Sequence, residues 1–134
     1  MNSNSSIVIS SDLTNIKKVF SWLEETLFAL IENKSKKSTL SLVVQEALVN
    51  AIVHGNKENK DKNVTLHYEV NEKDIHLKIT DEGEGIPKKG RKKDEDHIKA
   101  EDLLKDSGRG IILMKHFCKD VIFDKNSIEL IVEL

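Results

Sequence analysis

Cysteine is nearly absent from this 134-residue chain: Cys118 stands alone, which excludes an internal disulfide and leaves a cysteine-based metal cluster without enough ligands. Charge of one sign is missing as well. The 21 basic and 23 acidic side chains leave a formal net charge of -2, so no global basic field draws the chain onto nucleic acid or an anionic membrane. Any bound anion must be held locally. Long apolar runs are also lacking, since none approaches the roughly 20 residues of a membrane span. The opening Met1-Asn2-Ser3-Asn4-Ser5-Ser6 is polar, where a secretory leader would be basic and then apolar. These absences lead us to expect a cytoplasmic protein. What is there, 38% hydrophobic and 33% charged residues without internal repeats, suits one soluble domain over 1–134 with a single core and a single shared site.

The apolar positions are ordered along the chain. Ile7-Val8-Ile9 is a short β-rich run, closed by the helix N-cap candidates Ser10, Ser11 and Asp12. Leu13, Ile16, Phe20, Leu23, Leu27 and Leu30 recur at intervals of three and four, predicting one long amphipathic helix with Trp22 on its outer side as a possible contact surface. The polar stretch Asn33 to Ser38 breaks that pattern. A second helix is expected from about Thr39 to Val53, with Leu40, Val43, Val44, Ala47, Leu48 and Ala51 facing the core and Gly55 ending it. Alternation at Val64, Leu66, Tyr68 and Val70, then at Ile75, Leu77 and Ile79, across Asn71-Glu72-Lys73-Asp74, predicts a hairpin. A charged stretch from Lys88 to Ser107 reads as a flap. A helix bearing Ile111, Leu113, Met114, Phe117 and Cys118 follows. The chain closes on a second hairpin, Val121-Ile122-Phe123 and Ile128 to Leu134, turning at Asp124-Lys125-Asn126. This order describes an α/β two-layer domain with a mostly antiparallel sheet and helices on one face.

Three constellations could carry chemistry. Glu46, Asn50 and His54 recur every four residues on the second helix and so project from about one side. Glu46 could polarise a hydroxyl or water, and the Asn50 amide oxygen could bind a hard cation such as Mg²⁺; a solvent-facing edge is the plainer reading. In Asp81-Glu82-Gly83-Glu84-Gly85-Ile86 a carboxylate ends a predicted strand, and two glycines let the backbone approach a flat ligand. An Asp there could accept a hydrogen bond from the exocyclic amine of adenine; a simple glycine turn is the competing account. Ser107-Gly108-Arg109-Gly110-Ile111 opens a helix, where free N–H groups and the helix dipole favour phosphate. It follows neither the Walker pattern nor the dinucleotide fingerprint, and could equally be a loop-to-helix junction.

In their joint order, these segments resemble the N, G1 and G2 boxes of the GHKL ATPase superfamily. The run from Gln45 to Gly55, together with Ser107 to Ile111, is most similar to the anti-sigma-factor serine/threonine kinases. The resemblance covers nearly the whole chain, from Ile7 to Leu134, and implies the Bergerat-type ATP-binding fold, with 88–107 as the ATP lid. It makes Glu46 the candidate catalytic base for a protein serine hydroxyl and Asn50 the Mg²⁺ ligand. Asp81 would read the adenine amine beside Gly83, Gly85 and Ile86, while Ser107, Gly108, Arg109, Gly110 and Ile111 would wrap the phosphates. His54 would lie at the nucleotide, and Arg109 would also neutralise the transferring phosphoryl group. The partners it implies are an antagonist protein, a sigma factor, and a second copy of the chain in a homodimer. Direct nucleic-acid or membrane binding is not expected.

The chain departs from the pattern at two places. Relatives usually end the last hairpin turn with Gly-Thr, whose hydroxyl helps the nucleotide, whereas here Lys125-Asn126-Ser127 stands, with Ser127 as the candidate substitute. The first helix has no arginine, although that region often supplies basic contacts to the sigma factor. These departures keep open a second function, a non-catalytic regulator whose nucleotide state gates a protein partner. Among other features, His67 and His76 could face each other on neighbouring strands but lack a third ligand for a metal. Arg91-Lys92-Lys93 is offset by Asp94-Glu95-Asp96, and Cys118 is most simply a core residue.

Overall fold

The computed structural model describes residues 3–83 and 109–134. Strand β1 (Ser3–Ser10) is followed by helix α1 (Ile16–Glu25), helix α2 (Lys34–Val49), strands β2 (Asn63–Val70) and β3 (Asp74–Thr80), helix α3 (Arg109–Phe117), and strands β4 (Asp120–Phe123) and β5 (Ser127–Glu133). The five strands form one sheet in the order β1-β2-β3-β5-β4, and every neighbouring pair is antiparallel. Alternation along the strands sends Val64, Leu66, Tyr68, Val70, Ile75, Leu77, Ile79, Leu130 and Val132 to one face, where they are buried under the helices. Each fully buried aliphatic side chain there contributes about 1.5–3 kcal/mol.

Helix α2 is the spine of that helical layer. Leu40, Val43, Val44, Ala47 and Leu48 are buried along its inner side, at the spacing the sequence predicts. It begins earlier than expected, at Lys34, because Asn33 adopts an extended backbone and its side chain accepts the N–H of Lys36 at 2.9 Å. The polar stretch from Asn33 to Ser38 is thus the cap and first turn of α2 rather than a break between helices. The first helix is shorter than the periodicity suggests. The α-helical part spans Ile16–Glu25 between 3₁₀ turns at Leu13–Asn15 and Phe28–Leu30, which rotate the apolar stripe, so that Val19 and Phe28 are fully buried while Leu13 and Leu30 are exposed. Trp22 is not an outer contact. It is half-buried, with its ring centroid 5.4 Å from that of Tyr68.

Of the expected caps, Asp12 serves the first 3₁₀ turn. The backbone N–H and hydroxyl of Thr14 hold its carboxyl below the usual range, with Lys60 adding to the effect. Cys118, just past α3, lies in the core, and burial pushes its thiol up to about 12, which keeps it protonated and unreactive at neutral pH. None of the helices among the described residues is long and apolar enough to cross a membrane.

Candidate functional site

The candidate site lies where the end of α2 meets the end of β3. Past Val49 the helix widens into a single π-helical turn, Asn50–Gly55, closed by the Asn56 N–H donating to the Ala51 carbonyl at 2.8 Å. Such turns are uncommon and recur at functional positions. It begins at Asn50, whose N–H still donates to the Glu46 carbonyl, so half-buried Glu46 and Asn50, buried with 4% exposure, stay one α-helical turn apart, while His54 within the wider turn is exposed. Lys57 and Glu58 then turn the chain with positive φ values of 52° and 55°. The left-handed region is unfavourable for side-chain-bearing residues, and two such residues in succession are held partly by the Glu58 N–H donating to the Ile52 carbonyl at 2.7 Å.

Asp81, the residue after β3, is half-buried against this turn. Its Oδ1 accepts the Gly83 N–H at 2.8 Å and the Asn126 side-chain amide at 3.0 Å, while its own N–H donates to the Asn126 carbonyl at 2.8 Å. The Asn126 amide also donates to the Gly83 carbonyl. The two glycines are sterically required. A Cβ on Gly55 would overlap the Asp81 carboxylate, and one on Gly83 would overlap the Gly55 carbonyl, so these three residues close on one another with no room for a methyl group.

A second amide braces the same corner from the other side. Asn56, buried with 2% exposure, accepts the Glu82 N–H at 2.8 Å and donates to Ser11 Oγ at 2.7 Å and to the Asn63 carbonyl at 2.9 Å. Ser11, also fully buried, donates from its hydroxyl to the Lys62 carbonyl at 2.8 Å, and the Asn63 N–H donates to Glu82 Oε2. The network ties the helix exit, the start of β2 and the segment following β3 into one unit, with the polar atoms of both Asn56 and Ser11 hydrogen-bonded.

The structure therefore brings Gly55, Asp81 and Gly83 together at the end of the π turn that Asn50 begins. Arg109 and Gly110 stand at the start of α3 as the sequence predicts, and Ile111 is fully buried in the core. Gly85, Ile86, Ser107, Gly108 and the 88–107 stretch lie outside the described residues. Sequence reasoning missed Asn56 and Asn126. Asn56 directly follows the glycine that ends the helix, where a buried polar side chain often satisfies a chain exit, and that was its only sequence signal. Asn126 sits in the turn where Ser127 had been expected to act. The backbone of Ser127 pairs with Thr80 in the β3–β5 ladder, and the side chain that reaches the Asp81 carboxylate is that of Asn126, one residue earlier.

His67 and His76 lie on the open face of the sheet, away from this corner. Their nearest acidic neighbours are Glu69 at 3.6 Å and Glu129 at 3.9 Å, and no group of metal-ligating side chains is assembled among the described residues.

A profile of the histidine kinase-like ATPase domain matches residues 9–134, so the resemblance extends from the first strand through the site to the last. The chain belongs to the histidine kinase-like ATPase family. Among curated proteins, this ATPase-family chain is similar to the anti-sigma F factor of Bacillus velezensis, with 33% identity, and to that of Bacillus subtilis, with 31%. Both alignments run over 104 residues and cover 78% of this chain and 66% of the relative. It is also similar to the anti-sigma F factor of Geobacillus kaustophilus, with 30% identity over 102 residues, which are 76% of this chain and 64% of that protein. The chain spans just under two thirds of the length of these relatives. Family membership accounts for the sheet and for the helical layer packed on it.

Proposed function

We propose that this chain binds Mg-ATP at the corner formed by the π turn and Asp81, and that it acts as a serine/threonine protein kinase of the anti-sigma type. The observation that carries the binding reading is the Asp81 carboxylate, half-buried and fixed by two donors on one oxygen, beside two glycines that leave no side chain over it. The chemistry of the donors present fits the nucleotide. A carboxylate accepts from the adenine amine, the buried amide of Asn50 offers an uncharged oxygen to Mg²⁺, and Arg109 and Gly110 open a helix suited to phosphate. ATP would supply the γ-phosphoryl group to be transferred.

The catalytic part of the proposal rests on Glu46. It is half-buried near the end of α2, one turn before Asn50, and takes the proton of a serine hydroxyl as that oxygen bonds to phosphorus and ADP leaves. The name anti-sigma F factor, carried by the similar proteins, favours a sigma factor as a partner, and in this reading an antagonist protein is the phosphate acceptor. A homodimer in the cytoplasm completes the reading. Incubation with labelled Mg-ATP and a candidate antagonist should yield phosphoserine. Glu46→Gln should lower that transfer by about 10²-fold or more while ATP still binds, as expected when a general base is removed. Normal transfer by Glu46→Gln would refute its assignment as base, and nucleotide-dependent partner capture without any transfer would favour a non-catalytic regulator.

A further inference from the structure

We infer that Asn126 is a positioning residue for base recognition: its side-chain amide orients the Asp81 carboxylate so that Asp81 accepts an amine at purine C6 and rejects a carbonyl there. The inference rests on the ATP reading above and deepens it. Asn126 occupies the turn between β4 and β5, far from Asp81 in sequence, and reaches it because β5 pairs with β3 up to Thr80 and Ser127. The backbone bond from Asp81 N–H to the Asn126 carbonyl, at 2.8 Å, extends that pairing by one step. It fixes the two residues side by side before either side chain is considered.

The Asn126 amide has two donor hydrogens, and both are used within the corner. One goes to Asp81 Oδ1 at 3.0 Å and the other to the Gly83 carbonyl. Oδ1 also accepts the Gly83 N–H at 2.8 Å, so two donors converge on one carboxylate oxygen. No donor among the described residues reaches Oδ2, which faces Gly55, where a glycine hydrogen replaces a side chain. The terminal torsion of an aspartate is soft, and the carboxylate alone would turn readily. Two donors on Oδ1 remove that freedom and leave Oδ2 as the presented acceptor. An ionised carboxylate has no hydrogen to give. It therefore pairs with the amine of adenine and opposes the C6 carbonyl of hypoxanthine or guanine, the kind of mismatch by which a polar site discriminates.

The test compares calorimetric affinities for Mg-ATP and Mg-ITP, whose bases differ at this edge, in the wild type, Asn126→Ala and Asn126→Asp. The wild type should prefer ATP. Asn126→Ala should narrow the ATP-to-ITP ratio by about tenfold through weaker ATP binding alone, the effect of releasing one charge-assisted hydrogen bond. Asn126→Asp, which keeps the shape and replaces the donors with acceptors, should narrow it at least as far, and it carries the test if Asn126→Ala shows no cooperative melting. An unchanged ratio in both variants, or an equal loss for the two nucleotides, would overturn the role of Asn126 while leaving the ATP site intact. Wild-type protein that binds ATP and ITP equally would also overturn it. Wild-type protein that binds neither would instead remove the ATP reading itself.

Discussion

Gly55 and Gly83 occupy neighbouring places in the site, yet an added methyl group would meet different obstacles at each. On Gly55 it collides with the carboxylate of Asp81, a side chain held in place by hydrogen bonds. On Gly83 it collides with the Gly55 carbonyl, which is backbone and cannot step aside without moving the π turn. Gly55→Ala is therefore expected to displace the Asp81 carboxylate and weaken Mg-ATP binding, with a smaller loss of stability than at Gly83. Gly83→Ala should weaken binding and also lower stability by about 1–3 kcal/mol, the usual range for overpacking. Thermal melting alongside nucleotide titration checks the pair, and equal stability losses would contradict the distinction. At this scale the sequence was legible where the chemistry is local. Asp81 followed by glycines signals an acceptor beside open backbone, whereas Asn56 and Asn126 owe their roles to partners at Glu82 and Asp81, which become neighbours only through sheet register and the helix exit.

Both hairpins were readable as elements because strict alternation admits few other structures, and the core positions of α2 were readable for the matching helical reason. The first helix was less so. Its stripe of leucines continues through two 3₁₀ turns, where spacing no longer maps onto one face, and this hid Val19 and Phe28 while promoting Leu13 and Leu30. The π turn was invisible for a related reason: Glu46, Asn50 and His54 suggest uninterrupted α-helix, and only the backbone shows that the last turn is wider. The start of α2 depends on a single cap. Asn33→Ala removes the acceptor for the Lys36 N–H and should cost about 1 kcal/mol in chemical denaturation, fraying the lysine-rich first turn. Unchanged stability would mean that the turn is held by its other contacts, such as the Lys36 ammonium donating to the Glu133 carbonyl at 2.7 Å.

For the molecule as a whole, the helical layer and the antiparallel sheet do more than bury a core. They bring the end of α2, the end of β3 and the β4–β5 turn to one corner, so the candidate site is assembled from segments that are distant in sequence. A ligand that binds this corner only when the chain is folded must stabilise the fold by mass action, by about 2.7 kcal/mol at a hundredfold excess over its dissociation constant. The central claim is that Asp81 anchors ATP, and a calorimetric titration of Mg-ATP into the wild type and into Asp81→Ala tests it most directly. The account predicts saturable one-to-one binding by the wild type, and at least a tenfold loss in a variant that still melts cooperatively. Absence of binding by the wild type, or equal affinity in folded Asp81→Ala, would contradict it.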